Sequence, residues 1–485
     1  MNTPFFPAFR PRLAALGRHV QHLRQATLSQ LEQTLGAWLP APLLAQAKDQ
    51  LNSRERIFTL RRTFWCFIWQ TLNPGTPCRE VVRQVQALFS LQAQKPVDEA
   101  TSAYCQARGR LPLERLQQAL SASALAADQR AHYRWRGHCL KVVDGSTTSL
   151  PDTPQNQAAY PQSKGQKPGC GFPLLQLVVL FSLASGSILA AVWGNKHQSE
   201  LRLFRRLWSW LHRGDVLLGD RHFTDYVSLA QLCRKGVYLI GRLAANRTVD
   251  WSQGQRLGPH ERLFTWTKPS GRPAYLNRRQ WLALPAQITV RVIRVAVSEP
   301  GFRTRQLLLV TTLLDPRNYP AQAVAALYRR RWRLELCLRD LKTTLGMEQM
   351  RCLSPAMVHK ELLCYLIAYN LIRCVMARAA QTYDVDLARV SFKGSLDTVR
   401  QYSAALAQAR NAKQQRLLRQ QLLRNLAFDL LPDRPGRREP RALKRRPKPY
   451  ALLNRPRHLF KDIPHKNSYR SAQPSKNTII NNYLI

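Results

Sequence analysis

Apolar residues recur at helical spacing from Phe58 to Leu72, from Arg79 to Leu91 and from Leu113 to Ala127, and Asn73-Pro74-Gly75 stops the first run. The chain up to about residue 130 therefore reads as a basic, all-helical module. From His138 the period shortens. Cys139–Val143 predicts a strand ending on Asp144-Gly145-Ser146, and Pro173–Ser182 with Ile188–Trp193 predicts a hairpin around Ser185-Gly186-Ser187. Gln198–Leu211 predicts an amphipathic helix with Leu201, Phe204, Leu207, Trp208 and Leu211 inward. A strand over Val216–Gly219, a helix over Asp225–Arg234 and a strand over Val237–Ile240 follow. Gly, Pro and Trp then interrupt the alternation, and β pattern returns in Ile288–Val297 and Gln306–Thr312. One long helix is predicted over Tyr319–Leu345, a second, apolar one over Val358–Ala379, and a Gln- and Arg-rich helical stretch reaches Leu431.

Phe172–Trp193 carries no charge over 22 positions, long enough to span a bilayer. Gln176, Ser182 and the Ser-Gly-Ser turn break it, so a buried hairpin is the expectation, and no other stretch is expected to span. Composition then narrows the partner. Among 485 residues there are 74 Lys+Arg against 29 Asp+Glu, a formal charge of +45. A compact chain so charged repels itself unless a polyanion is its working partner, and Arg forks suit phosphate. Nucleic acid is the first expectation. With 45% hydrophobic residues, a disordered basic protein is excluded for most of the chain. Beyond Pro435, however, the composition turns to Arg, Lys and Pro without periodicity, which predicts a disordered tail able to hold DNA electrostatically. None of the ten cysteines forms a C-x2-C pair, so no zinc ribbon or redox pair is expected. Met1–Arg12 has no apolar signal core, and a reducing cytoplasm is the expected compartment.

The chemistry concentrates on the long predicted helix. At about 100° per residue, Tyr328, Arg331, Glu335, Arg339 and Lys342 fall within about 40° of one line. Leu327, Leu334, Leu338, Leu341 and Leu345 form a separate stripe that can pack on a core. An ordinary surface helix alternates its signs, whereas here one carboxylate stands among cations, as a metal ligand beside a nucleic-acid backbone would. Asp144 and Asp220 follow predicted strands, where α/β folds gather their chemistry. Each alone reads as a turn residue. Three converging carboxylates would repel one another unless cations neutralise them, and two Mg²⁺ ions do so in phosphoryl transfer.

Val143-Asp144-Gly145-Ser146, Leu218-Gly219-Asp220-Arg221 and Tyr328-x2-Arg331-x3-Glu335-x6-Lys342 together resemble the DDE transposases of bacterial insertion sequences. The branch is the insertion sequence 4 family, whose Y-x2-R-x3-E-x6-K signature is matched at every position. Weaker similarities lie in Pro151-Asp152-Thr153-Pro154, Asn156-Gln157-Ala158-Ala159-Tyr160, Gly301-Phe302-Arg303-Thr304-Arg305 and Tyr369-Asn370-Leu371-Ile372-Arg373. One departure is His222, where Gly or an aromatic residue is expected. The resemblance runs from about Phe58 to Arg400.

It implies an α/β protein with an RNase H-like catalytic core and a β-rich insertion, preceded by an all-helical domain and followed by helices and a basic tail. The boundaries are then 1–130 for a helical, DNA-binding domain, 138–245 and 313–400 for the two parts of the core and 246–312 for the insertion. Residues 401–435 form a C-terminal helical region and 436–485 the disordered tail. It implies that Asp144, Asp220 and Glu335 are catalytic and hold two Mg²⁺ (or Mn²⁺) ions. Tyr328, Arg331, Lys342 and Arg339 would contact DNA, and one of Trp251, Trp266 and Trp281 would stack on a flipped base. The partners would be double-stranded DNA, as terminal inverted repeats and target, and a second copy of the chain in a synaptic homodimer, with no membrane. Two alternatives stay open: an inactive, transposase-derived DNA-binding protein, and a structure-selective nuclease on the same core. The N-terminal helices could read DNA or merely cap the next domain.

Overall fold

The computed structural model describes residues 31–45, 57–91, 96–131, 133–244, 246–297, 306–409, 411–432, 453 and 455–460. The Gly301–Arg305 similarity and most of the basic tail lie outside them. Four helices open the described chain after a helical turn at 31–35: α1 (Leu60–Leu72), α2 (Cys78–Leu91), α3 (Ser102–Arg110) and α4 (Leu113–Ala131). Thr59 caps α1, accepting from the Arg62 amide at 3.2 Å. The α/β part follows as β1 (Leu140–Ser149), α5 (Pro154–Ala159), β2 (Leu174–Ser182), β3 (Ile188–Asn195), α6 (Glu200–Arg206), β4 (Val216–Gly219), α7 (Tyr226–Arg234) and β5 (Tyr238–Arg242). Next come β6 (Gln255–Gly258), β7 (Glu261–Thr267), α8 (Arg278–Leu282), β8 (Gln287–Ala296) and β9 (Gln306–Thr311). The helices α9 (Ala321–Arg329), α10 (Arg333–Arg339), α11 (Pro355–Tyr383), α12 (Phe392–Ala407) and α13 (Ala412–Phe428) follow, with a 3₁₀ turn at Arg457–Leu459 after them.

The described strands form one sheet of nine, in the order β3-β2-β1-β4-β5-β9-β8-β7-β6. β1, β4 and β5 are mutually parallel, and the other neighbours pair antiparallel. Alternation along each strand sends side chains to two cores. Leu140, Val142, Val216, Leu218 and Ile240 join the cluster that holds α4, α9 and α11. Val143, Leu217 and Leu239 join the cluster built on Leu203 and Phe204 of α6 and Val227 and Leu229 of α7. The 246–312 segment does more than interrupt this sheet: its strands continue it through β9. Arg291 of β8, fully buried, ties that extension to the core by donating to Glu261 (Nε, 2.8 Å) and to the Tyr319 carbonyl at 2.6 Å.

Several expectations need correction. β1 does not stop at Val143. It pairs with β2 from Lys141↔Ser182 to Ser149↔Leu174, so Asp144 lies within a strand, opposite Val179. The predicted helix Tyr319–Leu345 is broken: a 3₁₀ turn (Arg330–Trp332) separates α9 from α10, and a π turn (Asp340–Thr344) follows. Leu334, Leu341 and Leu345 are buried across this break, at 3%, 0% and 0% exposure, and Lys342 lies in the π turn. The Gln198–Leu211 helix is shorter, ending in a 3₁₀ turn at Trp208–Trp210. The uncharged run Phe172–Trp193 is the β2–β3 hairpin as expected. Among the described residues, the helix long and apolar enough to cross a membrane is α11, with 94% of its most apolar window buried inside the protein. Part of the tail is also ordered. The Arg457 side chain donates to Asp152 at 2.6 Å and to the Gly169 carbonyl at 2.6 Å, which docks residues 455–460 on the loop after α5.

The Tyr369–Arg373 motif locks the hairpin onto α11. The Tyr369 hydroxyl donates to the Gly186 carbonyl at 2.8 Å and Arg373 Nε to the Ser185 carbonyl at 2.8 Å. Asn370, fully buried, accepts from the Ile188 amide at 2.8 Å and donates to the Ile188 carbonyl at 2.9 Å. Gly186 sits at φ +68°, which is why the turn carries glycine.

Candidate active site

Two aspartates meet because of strand register. β1 and β4 pair in parallel as Leu140↔Val216 and Val142↔Leu218, and two further residues along both strands bring Asp144 beside Asp220. Leu140, Val142, Val216 and Leu218 all face the α9–α11 side, and strand alternation sends Asp144 to that same side. Asp220 follows β4 in a tight turn, its Oδ1 accepting from the His222 amide at 2.8 Å, and Asp225 then caps α7 through the Val227 and Ser228 amides.

The helical segment with Glu335 is held over this side by its own exit. Thr148 of β1 donates to the Met347 carbonyl at 2.8 Å, Ser149 bridges to Gln349, and Thr153 donates to the Leu353 carbonyl at 2.8 Å. Asn156, fully buried, adds a bond to the Pro151 carbonyl at 3.1 Å. The Pro151–Tyr160 similarity is thus a clamp between β1 and the chain that follows α10.

Arg331 is the hub. Its side chain is only 12% exposed, its guanidinium lies 4.0 Å from Glu335 Oε1, and its charge acts on Asp144. It also bonds to the phenol of Tyr328, above whose ring it lies at 5.7 Å. Tyr328 is buried at 7% exposure. Burial pushes its phenol up, Arg331 opposes the shift, and Asp220 and Arg242 act on it as well. The Asp144 carboxyl is pushed up to about 6, first by burial, against Arg331 and the Gly145 amide, and further by the charges of Asp220 and Glu200. Glu335 stands apart from the pair, its side chain 61% exposed. Among the described residues no three His, Cys, Asp or Glu side chains gather closely enough to hold a metal ion. Arg339 is exposed at the end of α10, and Lys342 is half-buried in the π turn.

The three tryptophans all pack on the second core. Trp266 is 9% exposed beneath the Arg247 guanidinium at 3.8 Å. Trp251 lies under Arg294 at 4.0 Å, and Lys268 lies over Trp281 at 5.2 Å. An aromatic on the catalytic segment itself is more open: Trp332, at 37% exposure. Sequence reasoning missed Glu200 at the start of α6, whose charge acts on Asp144, and Arg242 at the end of β5, whose charge acts on Tyr328. The unexpected His222 was the available signal, since its Nε2 lies 3.6 Å from Glu200.

Two half-buried aspartates, one within β1 and one just past β4, beside an arginine-rich helical segment suit phosphoryl transfer. Comparison with known proteins agrees. Residues 135–371 match the family described as the transposase DDE domain. The chain is also similar to the transposase InsG for insertion sequence element IS4 of Escherichia coli (strain K12), at 26% identity over 355 residues, 72% of this chain and 77% of that protein. The cryo-EM structure of a piggyBac transposase synaptic complex with hairpin DNA aligns over 85% of each chain at 7% identity. Its TM-score of 0.41 is too low to bear on fold or function. The chain is a DDE transposase, a class of enzyme that cleaves and transfers DNA strands. Within that class, the similarity to the transposase of insertion sequence element IS4 agrees with the Y-x2-R-x3-E-x6-K signature.

Proposed function

We propose that this transposase binds the terminal inverted repeats of an insertion sequence and moves it by cut-and-paste chemistry, as a homodimer acting on DNA at the bacterial nucleoid. The observation that carries the reading is the parallel β1–β4 pairing, which runs up to Val142↔Leu218 just before Asp144 and Asp220, together with Arg331, whose charge acts on Asp144 and whose guanidinium lies 4.0 Å from Glu335. β3-β2-β1-β4-β5, with β1 antiparallel to β2 and parallel to β4, supports an RNase H-like core. The N-terminal helices, by this reading, contact the repeats.

The donor set fits a hard divalent cation. The carboxylate oxygens of Asp144 and Asp220 are brought together at a cost in charge that a cation relieves, and Glu335, not held by packing, would complete the set from α10. When bound, two Mg²⁺ (or Mn²⁺) ions supply Lewis-acid chemistry to the attacking and leaving oxygens. Arg331, Arg339 and Lys342 hold phosphates, and Tyr328 keeps the Arg331 fork in place. Water attacks phosphorus at the element's end, the bond from phosphorus to the 3′-oxygen breaks, and that oxygen leaves as a hydroxyl. The 3′-hydroxyl then attacks a phosphodiester of the opposite or target strand. A new P–O bond forms, and the displaced 3′-oxygen takes up a proton. No redox partner is needed.

The test is strand cleavage and joining on DNA carrying the inverted repeats found beside the gene. Asp144→Asn, Asp220→Asn and Glu335→Gln should each abolish cleavage in Mg²⁺ while end binding persists. Cleavage at the wild-type rate by any variant removes that residue from the site. Binding without breakage by the unaltered protein, or breakage without joining, overturns the reading.

A further inference from the structure

Between α4 and β1 the chain makes a two-residue hairpin. The Trp135 amide donates to the His138 carbonyl at 3.0 Å, and the His138 amide to the Trp135 carbonyl at 2.9 Å. Both residues at its tip are left-handed, Arg136 at φ +50° and Gly137 at φ +83°. Glycine takes that region freely and Asn or Asp tolerates it, whereas arginine is uncommon there. An exposed arginine kept in such a turn points to a use for its charge. The turn is seated beside the start of α9. Trp135 stacks on Tyr319 at 5.8 Å and 24°, and the His138 ring donates to the Gly214 carbonyl at 2.6 Å and meets the Tyr319 hydroxyl at 2.8 Å. Arg136 lies over the Trp135 ring at 5.8 Å, and Arg134 donates to the Gly137 carbonyl at 3.4 Å. At the far end of α9 the Arg330 guanidinium lies 4.4 Å above the Tyr133 ring. Arg330 is the chain neighbour of Arg331, so cations continue from the catalytic segment to the tip of the turn.

Nothing acidic is written into this line. Between Asp128 and Asp144, and between Asp315 and Glu335, the sequence holds nine Lys and Arg and no Asp or Glu. The acidic group that acts on Tyr319, Asp315, is engaged by the Arg317 amide at 2.8 Å and the Asn318 side chain at 2.6 Å. The rings of Tyr133 and Trp135 are engaged within the protein, so what the turn offers is guanidinium, which suits phosphate and reads no base. From His138 to Asp144 the extended chain rises about 20 Å, the length of about six base pairs. We propose that the turn at 133–137 holds phosphates of the flanking duplex, the DNA that continues past the cleaved bond outside the inverted repeat, from about six base pairs onward. The inference rests on the transposase reading above. Flanking DNA differs at every place an element occupies, so a grip on it has to be independent of sequence. Arginines backed by rings meet that need through the phosphates alone.

The test is binding of the full chain to duplexes that carry the inverted repeat with a flank of about 2 or about 15 base pairs, titrated in salt. The unaltered protein should bind the long-flank duplex more tightly and with the steeper salt slope. The double variant Arg134→Gln, Arg136→Asn removes both charges while asparagine suits the left-handed turn, and thermal melts confirm its fold. It should lose about 1.8 of the slope of log K against log salt on the long flank, about 0.9 for each phosphate, and nothing on the short one. Arg136→Lys alone should keep the slope, because a point charge still meets phosphate. Equal losses on both duplexes would mean general basicity, and a flank gain untouched by the double variant would leave the turn without a DNA role; either result overturns the inference. So would an intact flank gain with impaired joining of pre-cleaved ends into a plasmid, which would assign the turn to target DNA. If the unaltered protein bound neither duplex in preference to random DNA, the functional reading itself would fall.

Discussion

Replacing Asn370 with leucine removes the side chain that closes the β2–β3 hairpin onto α11. Two short hydrogen bonds disappear, from the Ile188 amide at 2.8 Å and to the Ile188 carbonyl at 2.9 Å. The bonds to Ser123 Oγ at 3.3 Å and the Leu120 carbonyl at 3.4 Å are longer and count for less. Each short bond contributes about 1 kcal/mol net, and leaving a buried amide without an acceptor costs about 1–3 kcal/mol more. Leucine fills the space, so water cannot replace the amide group. The sum is about 3–5 kcal/mol, a large share of the roughly 5–15 kcal/mol that keeps a domain folded. Since about 1.4 kcal/mol is tenfold, amides of the hairpin should exchange about two to three and a half orders of magnitude faster through local opening. Hydrogen-exchange mass spectrometry of peptides covering residues 174–195 measures this directly. A change below about tenfold would show that Tyr369 and Arg373 hold the turn without Asn370.

Arg331→Ala should slow cleavage strongly, because it strips the buried counter-charge from Asp144 and the partner from Tyr328. Arg333→Ala should do little, since that side chain is 44% exposed and lies 3.9 Å from Asp386; equal losses in a cleavage assay would mean general basicity matters. Asp340 has its carboxyl raised to about 6 by burial, against Arg339 and Arg373. A raised carboxyl pKa favours the folded state at low pH and loses that contribution as pH rises through about 6. Wild-type stability from this group should therefore fall by roughly 2 kcal/mol between about pH 4.5 and pH 7, and Asp340→Asn should abolish that fall in urea titrations. Truncation after Leu431 removes the basic tail and should lower affinity for random DNA. The slope of log K against log salt should flatten by about 0.9 for each phosphate the tail no longer neutralises, with the preference for transposon ends intact. Loss of that preference would make the tail a reading element.

The amino-acid pattern alone determined most elements of the core. Period-two runs with turn signals marked the hairpin, β4 and β5, and apolar stripes marked α1, α2, α4, α7 and α11, because burial on one face writes its period into local sequence. The signature on the Glu335 segment was likewise local, and it named the class of chemistry. Folding decided what depends on contacts between distant residues. That Asp144 lies within β1 follows from the length of β2, and its place beside Asp220 follows from a parallel register set across 76 positions. The break of the Glu335 helix into a 3₁₀ turn, α10 and a π turn was not written in the apolar stripe, which is compatible with one straight helix. The continuation of the sheet through β9, the docking of Arg457 and the seating of the 133–138 turn beside α9 have no local period at all. Each is an agreement of shape and charge between segments far apart in sequence, and only the packed chain brings such segments together.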